Sequence, residues 1–256
     1  MITVVKIGGE VVDTPSALPG FISRFSALPG PKVLVHGGGK EATRLSERLE
    51  VPTVMIEGRR VTSAETIDIV TMVYAGLVNK RLVAMLQAAG CDAIGLSGAD
   101  ADAIRTARRP PCPVDYGFVG DPSPEGVNTR LISHLASSGL VPVFCAITHD
   151  GTGALLNTNA DSVASTVARA LARIDSVKLI YCFEHPGVMA DISDPASLMP
   201  ALSEADFPDL KARGIVSKGM IPKLNNAFAA LRDGVESVMI QQASALGTDT
   251  GTAITI

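Results

Sequence analysis

Two lysines and an aspartate stand at positions that are unfavourable for charged groups unless they serve chemistry. Lys6 interrupts the apolar run ITVVKI, and a buried ammonium group is costly unless it is paired or faces a ligand. Lys223 follows Pro222. Proline favours the first helical position, so Lys223 would lie in a first turn whose dipole repels a cation. Asp161 follows the suitable N-cap Asn159 by two residues. Together these residues indicate a site that handles negative charge.

Two glycine clusters follow apolar, β-branched runs directly. Gly8 and Gly9 follow the first run, and Gly37-Gly38-Gly39 follow KVLVH. Ligands of open α/β sheets bind at the carboxyl ends of the strands, where glycine lets the backbone approach them closely. A helix start after the second cluster suits a phosphate or an oxyanion. Neither GxxxxGK[ST] nor GxGxxG occurs, so a Walker A loop and a nicotinamide site are not supported.

Two lysines, one carboxylate and two glycine turns match the needs of phosphoryl transfer, which depends on positioning and on cations around the transferred group. Each residue also has a structural interpretation. Lys6 could extend to the strand end, Lys223 and Arg60 could be solvated, and Asp161 could only stabilise a helix dipole. The combination favours the catalytic interpretation, with Asp161 holding both lysines in place.

Composition bounds the function class. The 256 residues include 46% hydrophobic and 19% charged residues, and the formal net charge is −4. These values indicate a globular protein and argue against a nucleic-acid-binding surface. The four cysteines show no CxxC spacing and the histidines no HExxH motif, so we expect buried thiols and no protein-built metal site. We find no signal peptide and no membrane span, and therefore expect a cytoplasmic protein.

Short β-branched runs alternate with longer helical patterns, which predicts an α/β fold with a mainly parallel sheet. A capping box, Thr62 to Glu65, is predicted to start one long helix that ends at Gly90. The segment 103–121 is predicted to be an irregular excursion or a hairpin outside the core. The predicted strands are 2–7, 32–36, 92–97, 140–147, 176–183 and 236–240, and the predicted helices are 39–49, 63–89, 125–138, 160–173, 203–213 and 222–233.

An ordered set of motifs resembles the amino acid kinase family, and within it the enzymes that phosphorylate an N-acylated glutamate. The resemblance covers nearly the whole chain and is specific because the order and the spacing agree, although each motif alone is modest. The motifs are VVKIGG, VLVHGGGKEA, GRRVTSAETIDIV, AGLVNK, GLSGAD, LLNTNAD and GMIPKLNNAF.

The resemblance implies a role for each site residue. Lys6 would bridge the transferred phosphoryl group, Lys223 would lie nearer the nucleotide, and Asp161 would orient both. The N–H groups of Gly8 and Gly9 would contact the phosphates of ATP. Mg²⁺ would be carried by the nucleotide and not by a protein metal site. The acylated glutamate would be bound by Gly38 and Gly39, with Arg60 and Asn157 on its α-carboxylate.

The implied fold is an open, mostly parallel eight-stranded sheet sandwiched between helices, in two lobes. Residues 1–173 would form an N-lobe for acyl-amino-acid binding and dimerisation, and residues 174–256 a nucleotide-binding C-lobe. Members commonly form homodimers through the long helix, here 63–89. The implied reaction is ATP-dependent phosphorylation of the side-chain carboxylate of N-acetyl-L-glutamate, in arginine biosynthesis.

Three alternatives stay open. One is another member of the family, such as glutamate 5-kinase or carbamate kinase, although the Arg60–Asn157 pair favours an acylated amino acid. The acyl group could be succinyl instead of acetyl; its extra carboxylate would need a further cation, for which Lys40 and Arg59 are candidates. A non-catalytic sensor of amino acids or nucleotides is a different class, but it would not need Lys6, Asp161 and Lys223. Segment 181–188, YCFEHPGV, departs from the family's usual turn, so adenine and ribose contacts are not transferred. Because five residues precede Lys6, we expect no inhibition by arginine, which an activity titration tests.

Overall fold

The structure, a computed structural model, describes residues 1–56, 58–216 and 219–256. Over these residues the central element is an eight-stranded sheet. Its strands lie in the order β12 (Ala201–Ser203), β14 (Thr252–Thr255), β13 (Ser237–Gln242), β11 (Val177–Phe183), β1 (Ile2–Ile7), β2 (Lys32–His36), β8 (Val141–Cys145) and β5 (Ala93–Leu96). Its neighbouring strands run parallel except for the antiparallel pair β13–β14. The predicted open, mostly parallel eight-stranded sheet is therefore confirmed. It continues across residues 173 and 174, since β1 pairs with both β2 and β11.

The strands fall into the large sheet, a four-stranded sheet of order β10-β9-β6-β7 and the hairpin β3-β4. Their bounds are β1 Ile2–Ile7, β2 Lys32–His36, β3 Met55–Ile56, β4 Arg59–Arg60, β5 Ala93–Leu96, β6 Ile104–Arg108, β7 Gly120–Val127, β8 Val141–Cys145, β9 Ile147–His149, β10 Leu155–Asn157, β11 Val177–Phe183, β12 Ala201–Ser203, β13 Ser237–Gln242 and β14 Thr252–Thr255.

The helices cover both faces of the large sheet. Their bounds are α1 Gly9–Asp13, α2 Leu18–Ala27, α3 Gly39–Arg48, α4 Ala64–Thr71, α5 Asn79–Ala88, α6 Thr129–Ser137, α7 Ala160–Ala172, α8 Phe207–Ala212 and α9 Met220–Arg232.

Alternating side chains of the central strands enter two cores. Val5 and Ile7 of β1 pack with apolar residues of α1 to α5, whereas Ile2 and Val4 pack with residues of α6 to α9. Because side chains alternate along a strand, Lys6 points to the same face as Val4. That face carries α7 and α9, the helices that contain Asp161 and Lys223. Strand alternation thus directs all three charged groups to one side of the sheet.

The long helix starts one residue later than predicted and changes its winding in the middle. Ser63 is the N-cap and accepts a hydrogen bond from the Thr66 N–H, so the predicted capping box with Thr62 as its first residue is wrong. A π-helical segment, Met72–Val78, separates α4 from α5. Gly90, with φ +73°, follows the end of α5 in the left-handed conformation that was predicted.

The helix over Ala64–Ala88 is long and apolar enough to cross a membrane by length and composition. The prediction that no segment meets this criterion is therefore wrong. Such helices also occur as core helices of soluble proteins, and Ile69, Val73, Leu82 and Leu86 here enter the core. Leu77, within the π-helical segment, is 48% exposed.

Several other elements differ from the prediction. Helices α1 and α2 were not predicted; α1 has only five residues, and Pro19 lies in the first turn of α2. The predicted strand 140–147 is divided into β8 and β9. The predicted helix 203–213 shortens to α8 behind the edge strand β12. Segment 103–121 forms the first part of the antiparallel hairpin β6–β7, so the predicted hairpin is confirmed. Its second strand continues to Val127, where a helix from residue 125 was predicted. The prediction that the segment lies outside the core is wrong, since Ala103 and Ile104 are fully buried in it. Cys112 is exposed, contrary to the expectation of buried cysteines, whereas the other three are buried.

Candidate active site

Lys6, Asp161 and Lys223 meet in one buried ion-paired cluster. The Lys6 Nζ lies 2.7 Å from Asp161 Oδ1, and the Lys223 Nζ lies 2.9 Å from Asp161 Oδ2. The Asp161 and Lys6 side chains are 8% and 9% exposed, and that of Lys223 is 19% exposed. One carboxylate therefore holds two ammonium groups side by side, although the three residues are far apart in sequence.

Local structure explains each position. Lys6 is the penultimate residue of β1, between β2 and β11. Asn159 caps α7 by accepting a hydrogen bond from the Ser162 N–H at 3.0 Å, as its position predicted, which puts Asp161 in the first turn. Lys223 is the fourth residue of α9, because this helix starts at Met220 and not at Pro222. It still lies in the first turn, so two helix N-termini and two lysines converge on the cluster.

Charge neutralisation dominates the electrostatics of this cluster. Burial alone raises the pKa of Asp161, but the adjacent ammonium groups of Lys6 and Lys223 outweigh it and lower the pKa from 3.8 to about 2. Asp161 is therefore ionised at neutral pH. The Tyr181 hydroxyl lies 3.4 Å from the Asp161 carbonyl oxygen, beneath the start of α7. Burial followed by the Asp161 charge raises the pKa of this phenol well above its usual value.

The low pKa of Asp161 predicts a pH-dependent stability. Because its folded-state pKa lies below the unfolded value, its stabilising contribution is present above about pH 4 and is lost as the pH falls towards 2. The contribution amounts to about 2 kcal/mol. Urea unfolding of the wild type and Asp161→Asn checks this: the difference in unfolding free energy should shrink by about 2 kcal/mol between pH 5 and pH 2. A constant difference would show normal titration of Asp161.

In the first glycine turn, one of the two N–H groups that were predicted to contact phosphates is already hydrogen-bonded to the protein. The Gly8 N–H donates to the Cys182 carbonyl oxygen at 2.8 Å, so in this structure it is occupied by the sheet. A Cβ on Gly8 would lie 3.3 Å from that oxygen, which explains why a small residue suits this position. Among the described residues no hydrogen bond from the Gly9 N–H is found. Of this pair, Gly9 is thus the residue with an available donor.

The second glycine turn lines a cavity of about 230 Å³. A Cβ on Gly37 would contact the Cβ of Ala160 at 3.8 Å, so the turn abuts the residue before Asp161. The cavity is lined by Gly37, Gly38, Gly39, Met55, Gly58, Arg59, Arg60, Tyr74, Val119, Ala146, Asn157, Thr158, Asn159 and Ala160. All four residues predicted to bind the acyl-amino acid therefore border one cavity beside the charged cluster.

Arg60 and Asn157 are both fixed by hydrogen bonds in the wall of this cavity. Arg60 is 8% exposed, and its Nη2 donates to the Gly39 carbonyl oxygen at 3.0 Å and to the Thr43 hydroxyl at 2.8 Å. The Asn157 side-chain amide donates to the Thr62 hydroxyl at 3.0 Å. A guanidinium group in such a wall suits a carboxylate ligand, because its planar donors match the two oxygens.

A second cavity, of about 190 Å³, lies on the other side of the cluster. Lys223 belongs to its wall, together with residues of segment 183–189 and of the approach to α9. Ile192, Ile215, Val216 and Met220 make this wall largely apolar. Thus Asp161 follows residues that line the first cavity, and its partner Lys223 lines the second. The charged cluster lies between two cavities.

Gly38 offers a test of the first cavity. A Cβ at this position would lie 2.9 Å from Tyr74 Cδ1 and 3.3 Å from Val78 Cγ2. Because both neighbours are buried, we expect Gly38→Ala to destabilise the protein by about 1–3 kcal/mol and to weaken acyl-amino-acid binding. Thermal unfolding and ligand titration check this. Gly20→Ala is the matched control, since nothing lies within 4 Å of its new Cβ; equal effects of both variants would contradict the prediction.

Some residues of the site were not found in the sequence. Tyr74 packs on Gly38 and lines the first cavity, but its position on the helix resembles that of an ordinary core residue. Thr158 belongs to a chain of hydroxyl groups with Thr148 and Thr106, each 2.8 Å from the next. A motif in the sequence could have pointed to Thr158, which lies inside LLNTNAD. The apolar wall of the second cavity carries no such signal.

Comparison with known proteins identifies relatives over the full chain. The model of the amino acid kinase family matches residues 1–242. The acetylglutamate kinase of Phocaeicola vulgatus is 49% identical over 253 residues, which cover 99% of this chain and 98% of that protein. The acetylglutamate kinase of Cytophaga hutchinsonii is 48% identical over 244 residues, with coverages of 95% and 92%.

Solved structures agree with the fold. Protein smu.665 from Streptococcus mutans has a TM-score of 0.84 and 29% sequence identity, and the match covers 99% of this chain and 98% of that one. The N-acetylglutamate synthase of Neisseria gonorrhoeae, in complex with coenzyme A and N-acetyl-glutamate, has a TM-score of 0.79 at 22% identity. That match covers 99% of this chain but 59% of the synthase, and it concerns the fold.

Proposed function

The chain belongs to the amino acid kinase family, and on this premise we propose that it phosphorylates the side-chain carboxylate of N-acetyl-L-glutamate with ATP, in arginine biosynthesis. The observation that carries the proposal is the Lys6–Asp161–Lys223 cluster between two cavities. Acetylglutamate kinases that are 45–49% identical over nearly the whole chain support the same activity.

In the proposed reaction, a side-chain carboxylate oxygen of the substrate attacks the γ-phosphorus of ATP. The bond to the β,γ-bridging oxygen breaks, and the products are ADP and N-acetyl-L-glutamyl 5-phosphate. The transition state spreads negative charge over the transferred group, so catalysis depends on fixed cations. Lys6, at the centre of the sheet, is suited to bridge the transferred group, and Lys223 is suited to the leaving ADP. Asp161 orients both ammonium groups.

The acylated glutamate would occupy the first cavity. Arg60 and Asn157 would bind its α-carboxylate, with Gly38 and Gly39 donating N–H groups to the reacting end. Met55, Tyr74, Val119 and Ala146 supply apolar wall for the acyl group. The nucleotide would occupy the second cavity, with its phosphates directed to Gly9 and Lys223.

Mg²⁺ would be bound by the nucleotide phosphates. Both oxygens of Asp161 already face an ammonium group, so this carboxylate is unsuited as a metal ligand. Among residues 1–56, 58–216 and 219–256, no group of three or more His, Cys, Asp and Glu side chains could hold a metal ion. The ion would neutralise phosphate charge, whereas the protein residues orient the phosphates.

A second candidate substrate is N-succinyl-L-glutamate. Its extra carboxylate needs a further cation, and Arg59 lines the first cavity, whereas the Lys40 ammonium pairs with Glu10. The value of kcat/KM for each acyl-glutamate decides between them. If the acetyl compound is the substrate, Arg59→Leu should change its kcat/KM less than threefold; if the succinyl compound is preferred, the same variant should lower that preference at least tenfold.

A coupled ADP-release assay tests the proposed function. We expect turnover that requires both ATP and an acyl-glutamate. Binding of either ligand without turnover would instead identify a non-catalytic sensor. Release of ADP in the absence of an acyl-glutamate would contradict the proposed acceptor.

The lobes and the assembly complete the proposal. Residues 1–173 would bind the acyl-amino acid, and residues 174–256 the nucleotide. A homodimer through the long helix is supported by Met72 and Leu77 on its surface, which are 54% and 48% exposed. A biosynthetic enzyme with diffusible substrates would act in the cytoplasm. Sedimentation of the purified protein tests the dimer.

A further inference from the structure

A buried hydrogen-bond relay lies behind the glycine turn of residues 37–39. His36 is fully buried; its Nδ1 lies 2.7 Å from the Gly37 carbonyl oxygen, and its Nε2 lies 3.0 Å from the Asn79 side-chain nitrogen. A carbonyl oxygen only accepts, so Nδ1 carries the proton, and Nε2 accepts from the Asn79 amide. Burial lowers the pKa of His36 to about 4. The imidazole is therefore neutral, and its two partners fix its tautomer.

Asn79 is itself held by the backbone of two neighbouring strands. Its side-chain nitrogen also donates to the Val143 carbonyl oxygen of β8 at 2.9 Å. Its Oδ1 accepts from Lys80, which in turn donates to the Gly95 carbonyl oxygen of β5 at 3.0 Å. A Cβ on Gly95 would lie 1.9 Å from the Asn79 Oδ1. Glycine at position 95 therefore leaves the room that the Asn79 amide occupies.

The π-helical segment lies directly before Asn79 and beside the glycine turn. It ends at Val78, directly before Asn79, and π-helical turns often occur at functional sites. Tyr74 and Val78, both within the segment, are the closest neighbours of a Cβ placed on Gly38. One stretch of the long helix therefore contacts the glycine turn from two sides, through packing on Gly38 and through the His36 relay.

We propose that His36, held by Asn79, is a positioning residue that aims the Gly38 N–H into the acyl-glutamate cavity. In a trans peptide the carbonyl and the following N–H point in opposite directions. By binding the Gly37 carbonyl oxygen, His36 turns the Gly38 N–H away from itself. Among the described residues no hydrogen bond from the Gly38 or Gly39 N–H is found. The inference rests on the function proposed above.

Two polar substitutions separate the contacts of His36. In His36→Asn, the side-chain nitrogen can occupy the position of Nδ1 and still donate to Gly37. In His36→Gln, the longer side chain reaches Asn79 but lacks the donor at Gly37. Calorimetry with N-acetyl-L-glutamate alone should give binding within threefold of the wild type for His36→Asn, and at least tenfold weaker binding for His36→Gln. Binding of a non-hydrolysable ATP analogue should change less than twofold in both.

The outcomes are distinct. Equal binding of N-acetyl-L-glutamate by the two variants, or an equal loss of both ligands in His36→Gln, would overturn the positioning role. Circular dichroism and thermal unfolding check the fold of each variant. If His36→Gln does not fold, Asn79→Leu supplies a second test, because the Asn79→Leu substitution should weaken only acyl-glutamate binding. Wild-type turnover is measured first. Its absence overturns the proposed function together with this inference, whereas normal turnover with unaltered binding in His36→Gln overturns the inference alone.

Discussion

Lys6→Met should lower kcat by about 10²–10³, the usual cost of removing one group that stabilises transition-state charge. Methionine is uncharged and of similar length, so it fills the space beside Asp161 without an ammonium group. The KM for ATP should change only a few-fold, because Lys223 and the second cavity are unaltered. Steady-state kinetics with varied ATP and varied acyl-glutamate provide the measurement.

The control for this variant is Lys178→Met. Lys178 lies on the neighbouring strand β11, opposite Thr3 and at the other end of the strand from the site. The Lys178→Met substitution removes the same chemical group from an adjacent strand, and we expect it to change kcat less than twofold. If Lys6→Met retains near-wild-type kcat, Lys6 does not stabilise the transferred group.

Asp161→Asn should affect both activity and stability. The substitution leaves two ammonium groups facing each other with no counter-charge, and breaking a buried ion pair in this way costs about 3–5 kcal/mol. Repulsion would also separate Lys6 from Lys223, so we expect a loss in kcat at least as large as that of Lys6→Met. Urea unfolding at pH 7 and steady-state kinetics measure the two effects.

Asp233→Asn serves as the matched control. Asp233 pairs with Arg169 on the surface, with its side chain 36% exposed. Exposed pairs contribute about 1 kcal/mol or less, so we expect little change in stability and none in kcat. Asp161→Asn and Asp233→Asn with the same unfolding free energy would contradict the assigned electrostatics.

The central sheet and the charged cluster were predictable because short stretches of the sequence already indicate them. A buried lysine inside an apolar strand is costly unless it is paired or faces a ligand, and glycine clusters at strand ends let the backbone approach a ligand closely. The order of these motifs along the chain matched a known family. Lys6, Asp161 and Lys223 were named on this basis, and the structure brings them together.

Other features depend on tertiary contacts that no local pattern encodes. The Gly8 N–H is occupied by Cys182 because of strand register, and the exposed Leu77 lies in a π-helical segment that has no sequence signature. Helix α9 starts at Met220, two residues before Pro222, although proline favours the first helical position. The relay through His36 joins residues 43 positions apart, so it appears only in the folded chain.

Trapping of the product with hydroxylamine tests the central claim most directly. An acyl phosphate reacts with hydroxylamine to give a hydroxamate, whereas unreacted carboxylate does not. With ATP and N-acetyl-L-glutamate, mass spectrometry should find the hydroxamate on the side-chain carbonyl in amounts equal to the ADP released, and little of it with Lys6→Met. Release of ADP without a hydroxamate, or a hydroxamate on the α-carbonyl, would contradict phosphoryl transfer to the side-chain carboxylate.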